Sequence, residues 1–242
     1  MKRHPCNITE TQMRQALREE EFKLFLQPKV HLKNGTVTGA EALVRWISSD
    51  GRTFFPNDFI PLFEQNGFIL SLDHYMLKQA CRLIHFWIKN HLPPVPVSVN
   101  QSRQTFLKPD YVSRLQELIK TWQIPDGFLI LEITEGIALK NETELNSLLS
   151  QIRTLGILTS MDDFGTGYSS LTVLGNLRID ELKLDRGFLL NAAEPSNTRA
   201  RIIMEHTLQM AARLQIPTVT EGIETKEQAE LARDLGLSLI HI

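Results

Sequence analysis

Short apolar runs rich in β-branched residues alternate along this chain with longer segments whose apolar residues recur at helical spacing, which limits the available folds. Runs of this length are typical of buried strands, and the helical spacing is typical of helices with one apolar face. Seven strands are predicted, at 22–30, 36–44, 95–100, 128–133, 157–162, 180–184 and 217–220. Helices are predicted at 57–66, 73–90, 110–122, 141–154, 197–214 and 225–235.

This order predicts an α/β fold in which helices cover a parallel sheet. Seven strands in 242 residues fit a (β/α) barrel, which typically takes about 250 residues. An open doubly wound sheet is the alternative, but no G-x-G-x-x-G sequence follows a predicted strand, so its dinucleotide-binding form has no support. We find no repeat or Pro/Gly-rich linker and expect one domain.

Helix ends are predicted from capping residues. Asp73 and Asn197 are residue types that cap helix N-termini, and each stands where a helical pattern begins. Gly156 and Gly236 follow helical patterns and are predicted to end them.

Composition and charge exclude several classes of protein. The formal net charge is −2 and no Lys/Arg block is present, so binding to a nucleic-acid polymer is not expected. No apolar run approaches the length of about 18 residues that spans a bilayer, and the start has no signal-peptide pattern, so we expect a cytoplasmic protein. Cys6 and Cys81 are predicted to be free thiols, and the scattered histidines do not have zinc-site spacing.

Polar residues that can bind metal or carry protons stand at or near the ends of successive predicted strands. They are Glu41, Asn100, Glu132, Asp162, Asp163, Lys183 and Glu221. Any one of them alone is better explained as a helix cap or a surface ion pair. In a barrel, however, the carboxyl ends of the strands converge on one face, so we expect these side chains to meet there.

Converging carboxylates repel one another unless cations neutralise them, which predicts a metal site. The ligands would be oxygens without Cys or His, which favours Mg²⁺ or Mn²⁺ over zinc. The adjacent Asp162 and Asp163 could serve two neighbouring ions, an arrangement used for in-line displacement at phosphorus. Phosphoester chemistry is therefore expected.

Further candidates have a functional and a structural interpretation. Lys183 could orient a water or stabilise negative charge in the transition state, or form a structural ion pair. Arg45 could contact phosphate or lie on the surface, and Gln27 and Arg186 are weaker candidates. The segment 162–171 is predicted to be a mobile active-site loop because of its two glycines. Four aromatic residues could form core or a stacking wall for a base, and core is favoured: Trp46, Phe54, Phe55 and Phe59.

Several motifs together resemble one family. They are GAEALVRW with Glu41-Ala42-Leu43, FPNDFIPLFEQNG, SVNQS, LEITE, DDFGTGYSSL, LKLDRGF and EGIET. Over roughly residues 12–236, the chain resembles the EAL domain, the bacterial cyclic di-GMP phosphodiesterase. The resemblance implies a TIM-like barrel that hydrolyses cyclic di-GMP to linear pGpG with Mg²⁺ or Mn²⁺, using two ions. No motif position up to residue 225 is degenerate, which favours an active enzyme.

The resemblance also implies roles for individual residues. The metal ligands would be Glu41, Asn100, Glu132, Asp162 and Asp163, with Glu221 also near the second ion. Lys183, Glu221 and Glu41 would be catalytic. Gln27, Arg45 and Glu224 would contact the ligand or support its site. Glu135 would brace the loop after Asp163 and link the site to a dimer interface.

Partners and alternatives follow from the same resemblance. We expect cyclic di-GMP as the ligand, a homodimer, and sensor or GGDEF domains in a longer parent protein. A catalytically inactive cyclic di-GMP receptor or protein-interaction module is the alternative function. A barrel phosphoesterase with another substrate is a third hypothesis.

The C-terminus departs from the family pattern. Relatives continue into an eighth strand with a QGY-like motif, whereas this chain ends in LSLIHI at 237–242. These residues can be encoded by CTGTCTCTTATACACATC, which resembles a transposase adapter of sequencing libraries, so we expect a non-native tail. The predicted organisation is an N-terminal extension at 1–11, an EAL domain at 12–236 and this tail, with a barrel that lacks its eighth strand.

Overall fold

A computed structural model describes residues 9–137, 142–165, 171–194, 196–223, 225–237 and 239–241. The strands are β1 (Phe22–His31), β2 (Val37–Ile47), β3 (Thr53–Phe54), β4 (Val97–Asn100), β5 (Leu129–Thr134), β6 (Leu158–Phe164), β7 (Glu181–Leu184), β8 (Thr218–Thr220) and β9 (Leu239–His241). The helices are α1 (Glu10–Arg18), α2 (Pro56–Asn66), α3 (Ile69–Lys89), α4 (Arg103–Phe106), α5 (Tyr111–Trp122), α6 (Glu142–Thr154), α7 (Leu171–Asn176), α8 (Arg186–Ala193), α9 (Thr198–Arg213) and α10 (Lys226–Asp234).

Eight strands close into a barrel in the order β1-β9-β8-β7-β6-β5-β4-β2, with β2 paired back to β1. The predicted TIM-like barrel is therefore confirmed. The pairings from β2 through β4 to β9 are parallel, but β1 is antiparallel to both of its neighbours. The reason is the connection between β1 and β2, which is a short turn around Gly35. Parallel strands need a much longer crossover connection.

The predicted absence of the closing strand is wrong, because β9 occupies that position. Val219 and Thr220 of β8 pair in parallel with Leu239 and Ile240. On the other side, β9 pairs antiparallel with the segment Lys29–His31 of β1. Open strand edges expose unpaired backbone groups, and a short apolar segment is enough to satisfy them. Ile240 at the centre of β9 is buried.

Strands β5 and β7 present apolar side chains to the surrounding helices and charged side chains to the barrel interior. On β5, Leu129, Leu131 and Ile133 belong to the main hydrophobic cluster, which includes residues of α3, α5 and α6. Glu132 lies on the other face, because it bonds to lysines of strands that are not its neighbours. The interior of the barrel between these strands is therefore charged.

A second group of core residues is aromatic and lies where α2 meets β1 and β2. The ring centroids are 5.2–6.2 Å apart for Phe22, Trp46, Phe59 and Phe63. All four are buried, so the core interpretation of Trp46 and Phe59 is confirmed over the stacking wall. Phe54 packs on Trp46 at 5.0 Å, whereas Phe55 is 48% exposed and is not core.

The predicted helix ends are mostly confirmed. Asn197 accepts a hydrogen bond from the N–H of Ala200, as an N-cap does, and Gly156 and Gly236 follow helices with positive φ. The prediction for Asp73 is wrong, because α3 begins four residues earlier, at Ile69, and the Asp73 carboxylate is buried within it.

The Asp73 carboxylate joins α3 to the loop after β4. It accepts hydrogen bonds from the backbone N–H of Ser102 at 3.0 Å and from Thr105 Oγ1 at 2.6 Å. Burial raises its pKa, although these hydrogen bonds oppose the shift. The carboxylate therefore serves tertiary packing instead of the start of a helix.

Two further predictions concern thiols and membranes. Cys81 is a buried free thiol, and burial raises its pKa to about 12, whereas Cys6 lies outside the described residues. None of the helices in the described ranges has the length and apolar character required to cross a membrane.

Candidate active site

Strands β2, β4, β5, β6, β7 and β8 bring the predicted polar residues together at one end of the barrel. The register aligns Asn100 with Glu132, and Asp162 with the end of β5. Because β4 to β8 run in parallel, residues near their carboxyl ends share this face. Glu41 reaches it from β2, and Glu221 directly follows β8.

The centre of this cluster is the ammonium group of Lys183, which is 1% exposed. Four carboxylates surround its Nζ, at 2.7 Å for Glu132 Oε2, 2.8 Å for Glu221 Oε1, and 3.1 Å for both Glu41 Oε2 and Asp162 Oδ2. The first and last of these residues, Glu41 and Glu221, are more than a hundred positions apart in the sequence. The barrel therefore gathers them as the strand-end pattern predicts.

One ammonium does not neutralise four carboxylates, and the repulsion among them contributes to the pKa shifts of the cluster. Burial, together with repulsion from neighbouring carboxylates, raises the pKa of Asp162 to about 7 against the opposing effect of Lys183. Burial lowers the pKa of Lys183, but its carboxylate neighbours outweigh this effect and hold the pKa well above its ordinary value. Lys183 is thus a fixed cation and hydrogen-bond donor in a site with excess negative charge.

Asn100 and Asp163 lie at the edge of this cluster. Asn100 Nδ2 donates to Glu41 Oε1 at 2.8 Å, which orients the Glu41 carboxylate. Asp163 is exposed and has a φ of 60°, and its backbone N–H donates to Asp162 Oδ1 at 2.8 Å. A left-handed conformation is uncommon for a residue other than glycine.

The residues predicted to contact the ligand lie further from Lys183 than the four carboxylates do. Gln27 pairs with Glu41 across the β1–β2 ladder, so it shares the inner face beside the cluster. The guanidinium of Arg45 lies 5.4 Å from the Phe55 ring centroid and donates to its neighbour's backbone oxygen, Val44 O. Glu135 opens a 3₁₀ turn, Glu135–Ile137, directly after β5.

Three predictions fall on parts of the chain for which nothing further is described. Glu224 lies outside the described residues, as do residues 166–170 of the predicted active-site loop. The side chain of Glu135 is likewise outside the description, so its bracing role stays a prediction.

A second buried lysine, Lys29, lies in the interior near Lys183 and is not among the predicted site residues. Lys29 Nζ lies 2.6 Å from Glu181 Oε1 and 3.4 Å from Glu132 Oε1. Both positions follow the two-residue period of a strand, since Lys29 stands two residues after Gln27, and Glu181 two before Lys183. That period is the signal that could have identified them as inward-facing.

The donor chemistry of the cluster fits a hard divalent cation. Its ligand atoms are carboxylate and amide oxygens, which Mg²⁺ and Mn²⁺ prefer. Within the described ranges, no three His, Cys, Asp or Glu side chains are arranged around a common metal position. The carboxylates close on Lys183 Nζ instead, so a cation would share their oxygens with the ammonium group.

Comparisons with known proteins all point to one family. The family model described as "EAL domain" matches residues 10–241. The bifunctional diguanylate cyclase/cyclic di-GMP phosphodiesterase MucR of Pseudomonas aeruginosa is 35% identical over 224 residues, which are 93% of this chain and 32% of MucR. The cyclic di-GMP phosphodiesterase NbdA of the same species is 36% identical over 232 residues, or 96% of this chain and 29% of NbdA.

Solved structures show the same likeness. The PaMucR phosphodiesterase in complex with c-di-GMP superimposes with a TM-score of 0.88 at 33% identity, covering 96% of this chain and 93% of that one. The chain spans about a third of the length of the curated relatives described above.

Proposed function

Because this chain belongs to the EAL domain family, we propose that it is a phosphodiesterase that hydrolyses cyclic di-GMP to linear pGpG with Mg²⁺ or Mn²⁺. The observation that carries this proposal is the ring of four carboxylates around Lys183 at the mouth of the barrel. Metal-assisted hydrolysis at phosphorus uses oxygen ligands and a fixed cation in this way. The cyclic dinucleotide is a bacterial second messenger, so we expect the domain to act in the cytoplasm and to lower its level.

The relatives support the choice of substrate. MucR and NbdA are both named as cyclic di-GMP phosphodiesterases, and the similar solved structure of PaMucR holds c-di-GMP. This chain has the carboxylate and lysine side chains in place, which favours hydrolysis over binding alone.

We assign the cation-binding role to Glu41, Asn100, Glu132 and Asp162, with Asp163 and Glu221 beside a second ion. When bound, divalent cations neutralise these carboxylates and stabilise the charge that develops on the phosphoryl group. The carboxylates keep Lys183 protonated, so Lys183 orients the attacking water and stabilises negative charge by donating hydrogen bonds.

Glu221 is the proposed acceptor of the water's proton. Its side chain is 38% exposed, compared with 15% or less for the other three carboxylates around Lys183, so it is the one that water reaches most easily. The water oxygen bonds to phosphorus while the bond from phosphorus to the 3′ oxygen breaks. One water proton passes to Glu221, a solvent water protonates the leaving 3′ oxygen to give the hydroxyl of pGpG, and Glu221 then releases its proton to solvent.

Substrate contact and assembly complete the proposal. Gln27 lies beside the cluster and Arg45 lies further along the same strand pair, so they and Glu224 are proposed to contact or support the dinucleotide. Glu135 is proposed to link the site to a homodimer interface. Relatives are much longer than this chain, and MucR combines two activities in its name, so we propose that sensor or GGDEF domains accompany the domain in a longer parent protein.

The test is chromatographic detection of pGpG after incubation with cyclic di-GMP and Mn²⁺ or Mg²⁺. We expect pGpG to form, EDTA to abolish its formation, and added Mn²⁺ to restore it. Cyclic di-AMP and bis(p-nitrophenyl) phosphate serve as control phosphodiesters. Equal rates on all three would support a phosphoesterase of another specificity, and binding of cyclic di-GMP without cleavage would support the receptor alternative.

A further inference from the structure

A lysine–glutamate pair lies in the barrel interior directly beside the candidate metal ligands. Lys29 is 2% exposed and Glu181 is 9% exposed. The Lys29 ammonium is 2.6 Å from Glu181 Oε1 and 3.4 Å from Glu132 Oε1. The other oxygen of that carboxylate, Glu132 Oε2, is 2.7 Å from Lys183 Nζ. Glu132 is therefore held between two ammonium groups, one on each oxygen.

Small residues stand beside Lys29, Glu132 and Glu181 in the sheet. Gly39 stands opposite Lys29 in the β1–β2 ladder, and a Cβ at Gly39 would lie 3.6 Å from Lys29 Cδ and 3.2 Å from Pro96 O. Ser160 on β6 is completely buried, and it pairs in register with both Glu132 and Glu181. Bulky branched residues usually fill barrel interiors, so this space is shaped for a long polar side chain.

We propose that Lys29, partnered by Glu181, is a positioning residue that fixes the Glu132 carboxylate for cation binding. This inference rests on the proposed function, because Glu132 is one of the proposed metal ligands. Lys29 does not touch the substrate in this proposal. Lys29 contacts Glu132 Oε1, and Lys183 contacts Glu132 Oε2. The two contacts together fix the orientation of the carboxylate at the mouth of the barrel.

The charge arrangement explains why this role is separable from stability. Lys29 and Glu181 form a neutral pair, so replacing both with apolar residues leaves the net charge of the interior unchanged. Buried ion pairs can be replaced by apolar residues of similar volume without loss of stability, whereas removing one partner leaves an uncompensated charge. Groups that orient a metal ligand typically change metal affinity or activity 10–100-fold when removed.

The experiment compares the double variant Lys29→Met/Glu181→Met with the wild-type protein and with Glu181→Gln. Glu181→Gln is the matched control, because it removes the charge of the partner but keeps Lys29 beside Glu132, whose carboxylate still compensates the charge of Lys29. Binding of Mn²⁺ is measured directly by the electron paramagnetic resonance signal of free Mn²⁺, thermal unfolding is recorded on the same samples, and pGpG formation is measured as a function of Mn²⁺ concentration.

We expect the double variant to fold with a Tm near that of the wild type and to bind Mn²⁺ about tenfold more weakly. Its Mn²⁺ requirement for cleavage should rise by a similar factor, with a smaller change in the rate at saturating Mn²⁺. Glu181→Gln should bind Mn²⁺ within about threefold of wild type. If the methionine pair does not fold, Lys29→Gln/Glu181→Gln provides the same removal of charge with polar side chains.

Two results would overturn the inference in distinguishable ways. A folded double variant with the wild-type affinity for Mn²⁺ would show that Lys29 only fills the barrel, and the proposed function would stand. A wild-type protein that neither binds Mn²⁺ nor forms pGpG would overturn the proposed function and this inference with it.

Discussion

The two faces of strand β7 are equally buried and chemically opposite. On β7, Leu182 and Leu184 face the helices, and Glu181 and Lys183 face the interior, yet none of the four is more than 9% exposed. The outer face gains stability from apolar burial. The inner face collects charges whose desolvation is unfavourable unless they are paired. Burial alone therefore does not identify a structural residue, and the partner atoms decide its role.

The largest expected effect is on catalysis, from Lys183→Met. Removing the ammonium leaves four carboxylates without their shared partner, and removes the donor proposed to orient water and stabilise charge. We expect pGpG formation to fall by about 10³-fold, the upper end of the effect of losing one preorganised donor. The rate is measured on protein whose folding is confirmed by circular dichroism. Cleavage within tenfold of wild type would show that Lys183 is a structural ion-pair residue.

The matched change on the outer face is Leu182→Ala, one residue away on the same strand. We expect the free energy of unfolding to fall by about 2–5 kcal/mol, because a buried leucine side chain is lost from the core. The rate of cleavage per folded molecule should stay within about threefold. Urea unfolding and cleavage at low temperature measure the two quantities. A folded Leu182→Ala protein with no cleavage would contradict the view that the outer face serves stability and the inner face serves catalysis.

Asp73 tests a buried carboxylate outside the barrel interior. Asp73→Ala removes the acceptor for Ser102 N–H and Thr105 Oγ1, so we expect it to lower the free energy of unfolding by about 1–3 kcal/mol. Asp73→Asn keeps an oxygen acceptor, and its side chain does not ionise.

The pH dependence of the Asp73 variants has a defined sign. Burial raises the pKa of Asp73 in the folded protein above the ordinary aspartate value of 3.8. Ionisation of Asp73 therefore disfavours folding. The contribution that protonated Asp73 makes to the stability of the wild-type protein is lost as the pH rises from about 3.8 through the pKa of Asp73 in the folded protein. Asp73→Asn should therefore gain stability relative to wild type over that window, measured by urea unfolding at several pH values. A constant difference across pH would mean that Asp73 is not the titrating group.

The smallest effect is expected at an exposed ion pair. Arg14 Nη2 lies 2.6 Å from Glu10 Oε1 on α1, but both side chains are 63% exposed. We expect Arg14→Ala to change the free energy of unfolding by about 0.5 kcal/mol or less, because solvent screens such pairs. Thermal unfolding at low and high salt measures it. A loss of several kcal/mol would contradict the distinction between paired charges inside the barrel and those on its surface.

The sequence predicts most of the barrel because its two periodicities are strong. The seven predicted strands each match an observed strand within three residues at either end. The convergence of Glu41, Glu132, Asp162 and Lys183 also follows from the sequence, since each stands at or near a strand end and parallel strands share one face.

The features that the sequence does not predict depend on tertiary contacts. Lys29 is polar in a strand that also carries exposed residues, and only closure of the barrel buries it. In the sequence, Asp73 resembles an N-cap residue, whereas in the structure its carboxylate accepts a hydrogen bond from Thr105 of α4. Strand β9 is three residues long, and it pairs with the edges of β1 and β8. Those two edges come to face each other only after the other strands have paired. Each of these features reflects contacts between distant parts of the chain.

The proposed chemistry is tested most directly by comparing cleavage and binding of cyclic di-GMP in the wild type and in Glu41→Gln, on the same folded preparations with Mn²⁺. Glu41→Gln keeps the shape of a side chain that contacts both Lys183 and Asn100, and removes its charge. We predict that wild type forms pGpG, and that Glu41→Gln still binds the dinucleotide but cleaves it at least about 10²-fold more slowly. Wild-type protein that binds cyclic di-GMP with Mn²⁺ or Mg²⁺ and releases no pGpG would contradict the assignment and leave a receptor.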